Sequence, residues 1–247
     1  MSDRLVVGLH PVRELLRADR PLRRLLVADG RSSNEVVDEL LELARGAGVE
    51  VERVPREQLD DVAGGLVHQG VVAHAPSFPY ADLVQVLANA QGPPLLVALD
   101  GVTDPHNLGS ICRTAEAAGA HAVLVTERRA APVTPVAEKA AAGALAHLPV
   151  VRVTNLVRTL QQLADRPLWS LGLDADGEVA LADSPLLTEP LVLVIGDEGR
   201  GLARLTRDAV DQRVTLPMRG RVGSLNASVA AGVALYTVLG ARDAAGA

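Results

Sequence analysis

From Leu95 onward the chain repeats one device, a run of about five mostly apolar residues: LLVAL at 95–99, HAVLV at 121–125, PVVRV at 149–153, WSLGL at 169–173, LVLVI at 191–195 and VTLPM at 214–218. Helically spaced stretches fall between them, over 108–118, 135–145 and 155–164, from Leu202, and over 225–241. Runs that are apolar throughout, rather than at alternate positions, belong to strands covered on both faces, and strands alternating with helices connect in parallel. The pattern predicts an α/β fold with a mostly parallel sheet over residues 94–247. In such sheets ligands sit beyond the carboxyl ends of the strands, where loops lead into helices.

Residues 1–75 carry shorter elements: VRELL, LRRLLVA, the helical EVVDELLELARGAG, VEVERV and QGVVAHA. They read as a separate, small α/β domain. Residues 76–93 bracket a short helix with prolines and a glycine, as a linker does. No apolar run approaches the roughly 18 residues of a membrane span, and the first residues lack a signal-peptide core, so a cytoplasmic protein with no membrane partner is expected. Cys112 is the only cysteine, and six histidines are scattered without metal-ligand spacing. No disulfide and no metal are expected.

Three strand exits are chemically rich: DGVTDPHNLGS after LLVAL, GDEGRG after LVLVI, and RGRVGSLN after VTLPM. In the first, Asn107 reads as a helix N-cap and Gly119 as a stop. Leu108, Ile111, Cys112, Ala115 and Ala118 then share an apolar face, and Arg113 points away from it. A solvated arginine fits that position as well as a ligand-binding one. In the second, Glu198 sits between glycines, where backbone N–H groups are free and a ligand can approach closely. The letters match neither the dinucleotide fingerprint nor a phosphate-binding P-loop. In the third, Ser224 or Asn226 caps the last helix, and a helix start also offers donors to a polar ligand.

A formal charge of −6 argues against binding nucleic acid by bulk charge, but permits a local basic site. All but one of the 24 basic residues are arginine, whose planar fork suits phosphate. Arg4, Arg13, Arg17, Arg20, Arg23 and Arg24 concentrate near the amino terminus and are expected to form an RNA-facing patch.

Together, DPHNLGSICRTAEAAG, LVIGDEGRGL and LPMRGRVGSLNASVAAGVALY resemble, in order and spacing, the three motifs of the SpoU (TrmH) family of RNA ribose 2′-O-methyltransferases. GLHPVRELL and HQGVVA resemble the substrate-binding domain of its branch that modifies guanosine in 23S ribosomal RNA. The resemblance covers almost the whole chain. It implies a trefoil knot near the carboxyl end, a homodimer formed around the first-motif and last helices, and S-adenosylmethionine as cofactor. It implies a catalytic set of Asn107, Arg113, Glu198, Ser224 and Asn226. Gly196, Leu216 and Leu225 would hold the cofactor, and Gly220 and Gly223 would let the chain wrap it. Asp197 departs from the family pattern, which commonly has serine or asparagine there, and Leu216 replaces a frequent isoleucine. A tRNA substrate, an rRNA-methylating resistance enzyme and a non-catalytic RNA-binding assembly protein are the competing readings.

Overall fold

The protein is described by a computed structural model over residues 3–30, 35–128, 130–221 and 223–246. Val222, in the expected cofactor-wrapping segment, lies outside the described residues.

The amino-terminal part contains β1 (Arg4–Val7), α1 (Leu9–Arg17), β2 (Arg24–Ala28), α2 (Glu35–Gly46), β3 (Glu50–Val54), α3 (Arg56–Ala63) and β4 (Val71–Ala75). The strands form a sheet in the order β1-β4-β2-β3. β4 runs antiparallel to both neighbours, and β2 and β3 are parallel. Leu25 and Val27 face a core shared with α1 and α2, while Leu26 and Ala28 face a smaller one with Leu59 of α3. β1 and α3 have no counterpart in the sequence reading. In α3 only Leu59 and Ala63 are buried, too few positions to display a helical period.

The loop before β4 is fixed by buried His68, whose Nδ1 accepts from Gly70 N–H at 2.9 Å. That leaves Nε2 to donate to Asp60 at 2.8 Å.

The large sheet has the order β7-β6-β5-β10-β8-β11-β9, with every pair parallel. Its strands are β5 (Leu95–Asp100), β6 (Ala122–Thr126), β7 (Val150–Val153), β8 (Trp169–Leu173), β9 (Val179–Ala180), β10 (Leu191–Gly196) and β11 (Gln212–Thr215). α5 (Pro105–Ala117), α6 (Pro135–Ala141) and α9 (Ala227–Ala245) cover one face; α4 (Leu83–Asn89) and α7 (Leu156–Ala164) cover the other. Leu95, Val97 and Leu99 enter the first core and Leu96 and Ala98 the second, which is why the run is apolar throughout. α8 (Arg204–Arg207) is a single turn that starts two residues after the expected Leu202, and β11 ends at Thr215, so Leu216–Met218 belong to the following loop. From β5 the chain moves outward through β6 and β7, then returns across β5 to β8 and β10. The gap between the ends of β5 and β10 is therefore the switch point of the sheet.

The linker region runs along the sheet edge, where Ala81 N–H donates to Val150 of β7 at 2.9 Å. Asp82 caps α4 by accepting from Gln85 N–H at 3.0 Å.

The expected amino-terminal arginine patch is not a set of free charges. Arg4 pairs with buried Glu138 of α6 and donates to Pro76 O. Burial, with Arg20 nearby, lowers the pKa of Arg4 to about 10. Arg20 donates to Ala146 O at 3.0 Å. Arg13 and Arg17 pair with Glu14 and Glu39, Arg23 with Asp3, and Arg24 with Glu52. Interleaved acids satisfy this surface, and Arg4 and Arg20 tie the two parts of the chain together.

Candidate active site

Helix α5 begins earlier than expected. Asp104 is its N-cap, accepting from His106 N–H at 2.9 Å, and Pro105 supplies a pre-set first turn. Asn107 is therefore not the cap. It lies inside the first turn, 6% exposed, with its amide free for a distant partner. Gly119, at φ 73°, is the expected stop.

That partner is Glu198, 91 residues later. Asn107 Nδ2 donates to Glu198 Oε1 at 2.6 Å. Asn226, 119 residues from Asn107, donates from Nδ2 to Asn107 Oδ1 at 3.0 Å and to Glu198 Oε1 as well. Ala227 N–H gives the same carboxylate oxygen a further donor at 3.3 Å. Asn226 Oδ1 caps α9, accepting from Ser228 N–H at 2.9 Å and Val229 N–H at 3.3 Å. One asparagine thus uses its carbonyl to start the helix and its amide to hold the cluster, and Glu198 lies at the helix end where the backbone dipole favours an anion.

Glu198 is carried at the tip of a closed loop. Asp197 and Gly201 exchange backbone hydrogen bonds at 3.1 and 2.8 Å. Asp197 Oδ1 accepts from Gly199 and Arg200 N–H at 3.0 and 3.1 Å, an acceptor role open to serine or asparagine too. Ala203 N–H donates to Asp100 Oδ2 at 2.7 Å, pinning the loop to the end of β5. A Cβ on Gly196 would overlap the backbone of Gly201, so its close approach is first of all to its own loop.

Beside the cluster opens a cavity of about 660 Å³. Gly196, Leu216, Ser224 and Leu225 line it as expected, with Glu198 on its wall. Leu216 and Leu225 are half-buried, Ser224 is exposed, and Ser224 makes no hydrogen bond among the described residues. Gly220 has no positive φ, and a Cβ added at Gly220 or Gly223 would meet no atom among the described residues, so packing does not require glycine at Gly220. Arg113 is exposed on α5 and is not among the cavity residues. Cys112 is core: it is fully buried, and burial pushes its thiol pKa up to about 12.

The sequence reading missed the β8 exit, LDADGE. Asp174 and Asp176 line the cavity opposite Glu198's loop, together with Arg207 of α8. Asp174 Oδ2 lies 2.9 Å from Arg207 Nε, and its Oδ1 accepts from Asp176 N–H at 3.2 Å. The signal was a pair of acids directly after an apolar run.

Among the described residues no group of three or more histidine, cysteine, aspartate or glutamate side chains could hold a metal, and no helix is long and apolar enough to cross a membrane. The cavity suits a cofactor of several hundred daltons that joins a flat apolar ring to charged groups. Ile195, Leu216 and Leu225 offer apolar wall, the acids suit a sulfonium or ammonium, and Arg200 and Arg207 suit a carboxylate.

Comparison with known proteins gives a consistent result. A family model described as the SpoU rRNA Methylase family matches residues 94–236, and one described as RNA 2′-O ribose methyltransferase substrate binding matches residues 5–81. The chain is 42% identical over 244 residues to a Bacillus subtilis protein placed in the TrmH family of tRNA/rRNA methyltransferases, covering 98% of this chain and 97% of that protein. It is 48% identical to a Mycobacterium avium protein named as a tRNA/rRNA methyltransferase, covering 94% and 76%. Among solved structures, the SpoU methyltransferase AviRb from Streptomyces viridochromogenes in complex with AdoMet superposes with a TM-score of 0.83 at 31% identity, covering 98% of this chain and 91% of that one. An A. aeolicus TrmH/SpoU tRNA modifying enzyme covers only 66% of this chain, at 27% identity and a TM-score of 0.57.

Proposed function

The chain belongs to the SpoU family of S-adenosylmethionine-dependent RNA methyltransferases, and from that premise we propose that it methylates the ribose 2′-hydroxyl of a guanosine in 23S ribosomal RNA, in the cytoplasm and as a homodimer. The observation that carries the site assignment is the convergence of Asn107, Glu198 and Asn226 beside the cavity. We assign residues 1–75 to RNA substrate binding, 76–93 to a linker and 94–247 to catalysis. The match of residues 94–236 to the model described as the SpoU rRNA Methylase family, against the partial cover by the tRNA modifying enzyme, supports the ribosomal target.

When bound, the cofactor supplies a methyl group already activated on a sulfonium. The protein's tasks are to position the hydroxyl and to manage its proton. Glu198 fixes the amides of Asn107 and Asn226, and the Ser224 hydroxyl is free to meet substrate. Gly196, Leu216 and Leu225 would hold the cofactor. A guanidinium is protonated at every physiological pH, so Arg113 is not the base. It holds the adjacent phosphate and stabilises developing alkoxide charge, a contribution of about 3 kcal/mol to the barrier.

Helix α9 supports the dimer. Val229, Val233 and Tyr236 are 51%, 45% and 54% exposed and share one side at i, i+4, i+7 spacing, an apolar stripe suited to a second copy. Ala227, Ala231 and Ala234 of the same helix are buried in the chain's own core, and Gly232 faces Thr114 of α5. α5 packs on α9, so a dimer through this face brings exposed Arg113 close to the interface. The trefoil knot is part of the same reading. It is supported by β10 lying between β5 and β8 and by the return of the 216–226 segment to Asn107 and Glu198.

The test is incubation with labelled S-adenosylmethionine and unmodified 23S rRNA, 16S rRNA and tRNA, followed by mapping of linkages that resist alkali. One resistant guanosine linkage in 23S rRNA is expected; modification of tRNA alone would overturn the ribosomal assignment. Arg113→Ala is expected to slow turnover by about 100-fold with cofactor affinity unchanged, and near-normal turnover would remove Arg113 from the catalytic set.

A further inference from the structure

The chain has one phenylalanine, one tryptophan and two tyrosines, and the linker carries two of these four aromatic residues within three positions, Phe78 and Tyr80. Their rings meet edge to face with centroids 5.1 Å apart. Tyr80 OH accepts from Val133 N–H at 3.4 Å, which fixes the ring against the loop that follows β6. Over the Tyr80 face lies the Arg152 guanidinium, 3.7 Å from the ring centroid. Arg152 is exposed and pairs with no acid among the described residues, in contrast to the amino-terminal arginines. It stands one residue before the end of β7, level with Val125 of β6, and so near the same strand-exit edge from which Asn107 and Glu198 follow β5 and β10. Tyr80 also belongs to the segment joining the amino-terminal part to the sheet.

We propose that the Arg152–Tyr80 stack is a binding site for an unpaired RNA base, on the path a substrate strand follows between the cavity and the amino-terminal part. The inference rests on the RNA methyltransferase reading. A guanidinium 3.7 Å above an aromatic ring leaves its far side open to another flat group, and bases stack on both kinds of surface. A fully paired helix presents no free base face, so the site selects unpaired nucleotides near the methylation target.

The probe is a fluorescent single-stranded RNA oligonucleotide of mixed sequence, compared with an abasic strand of the same length and with a blunt duplex. Arg152→Ala is expected to weaken single-strand binding by about tenfold while leaving the abasic strand, the melting temperature and calorimetric S-adenosylmethionine affinity unchanged. Arg152→Lys, which keeps the charge without the plane, should lose most of the same affinity, and Tyr80→Phe, which keeps the ring, should retain it. Unchanged single-strand binding by Arg152→Ala in an enzyme that still methylates RNA overturns the stacking site alone. So does equal loss on the abasic strand, or full rescue by lysine, because either means a phosphate contact. If the wild-type protein binds and methylates no RNA, the functional reading falls and this site with it.

Discussion

The two loops that wall the cavity are built on different principles. Residues 196–203 are closed by the Asp197–Gly201 pair, by the Asp197 side chain and by the anchor of Ala203 on Asp100. Residues 217–221 and 223–225, on the other wall, have no hydrogen bond among the described residues, and the segment is secured where Asn226 joins Asn107 and Glu198. A carboxylate that orients two amides needs fixed geometry, and the tied loop provides it for Glu198. A wall that must admit and then surround a cofactor gains from being held only at its ends, and its order is then supplied by the ligand.

Gly196→Ala should have the largest effect, because its new Cβ would overlap backbone that cannot rotate away. It is expected to lower stability by about 1–3 kcal/mol and to abolish measurable S-adenosylmethionine binding in calorimetry; normal binding would mean that the tied wall yields after all. Glu198→Ala comes next. It strands the buried Asn107 amide, at about 1–3 kcal/mol, and lowers turnover, whereas Glu198→Gln keeps an acceptor oxygen and should recover most of the stability. Asn226→Ala removes the cap of α9 and is expected to cost about 1 kcal/mol in denaturant unfolding. An unchanged midpoint would show that the free wall has no firm end. The smallest change belongs to Gly220→Ala, within about 0.5 kcal/mol of wild type, since an added Cβ there meets nothing. Hydrogen exchange sharpens the contrast. Amides of Gly199, Arg200, Gly201 and Ala203 should be protected without cofactor, while those of Met218–Leu225 should gain protection only when it is added.

Legibility in the sequence followed the range of the interactions. The strands of the large sheet are readable because burial on both faces leaves continuous apolar runs. β9, with two residues, and α3, with two buried positions, are too short or too polar to leave a pattern. The three motif loops were found by their lettering, but the reading of Asn107 as a cap failed because Asp104 and Pro105 offer an equally local and better start. The acids of the β8 exit and the fate of the amino-terminal arginines escaped for a related reason: a charge on the page does not reveal which partner, near or distant, will face it.

By itself the sequence determined the alternation of strands and helices and the types of side chain offered at each strand end. These follow from backbone sterics and from hydrophobic periods spanning a few residues. Only the tertiary structure decided that Asn107, Glu198 and Asn226 share one hydrogen-bonded cluster, that Asp174 and Arg207 complete the cavity, and that Arg4 and Arg20 fasten the two parts of the chain. Those outcomes depend on strand order and on long-range packing, which set the distances between residues that sequence spacing leaves free.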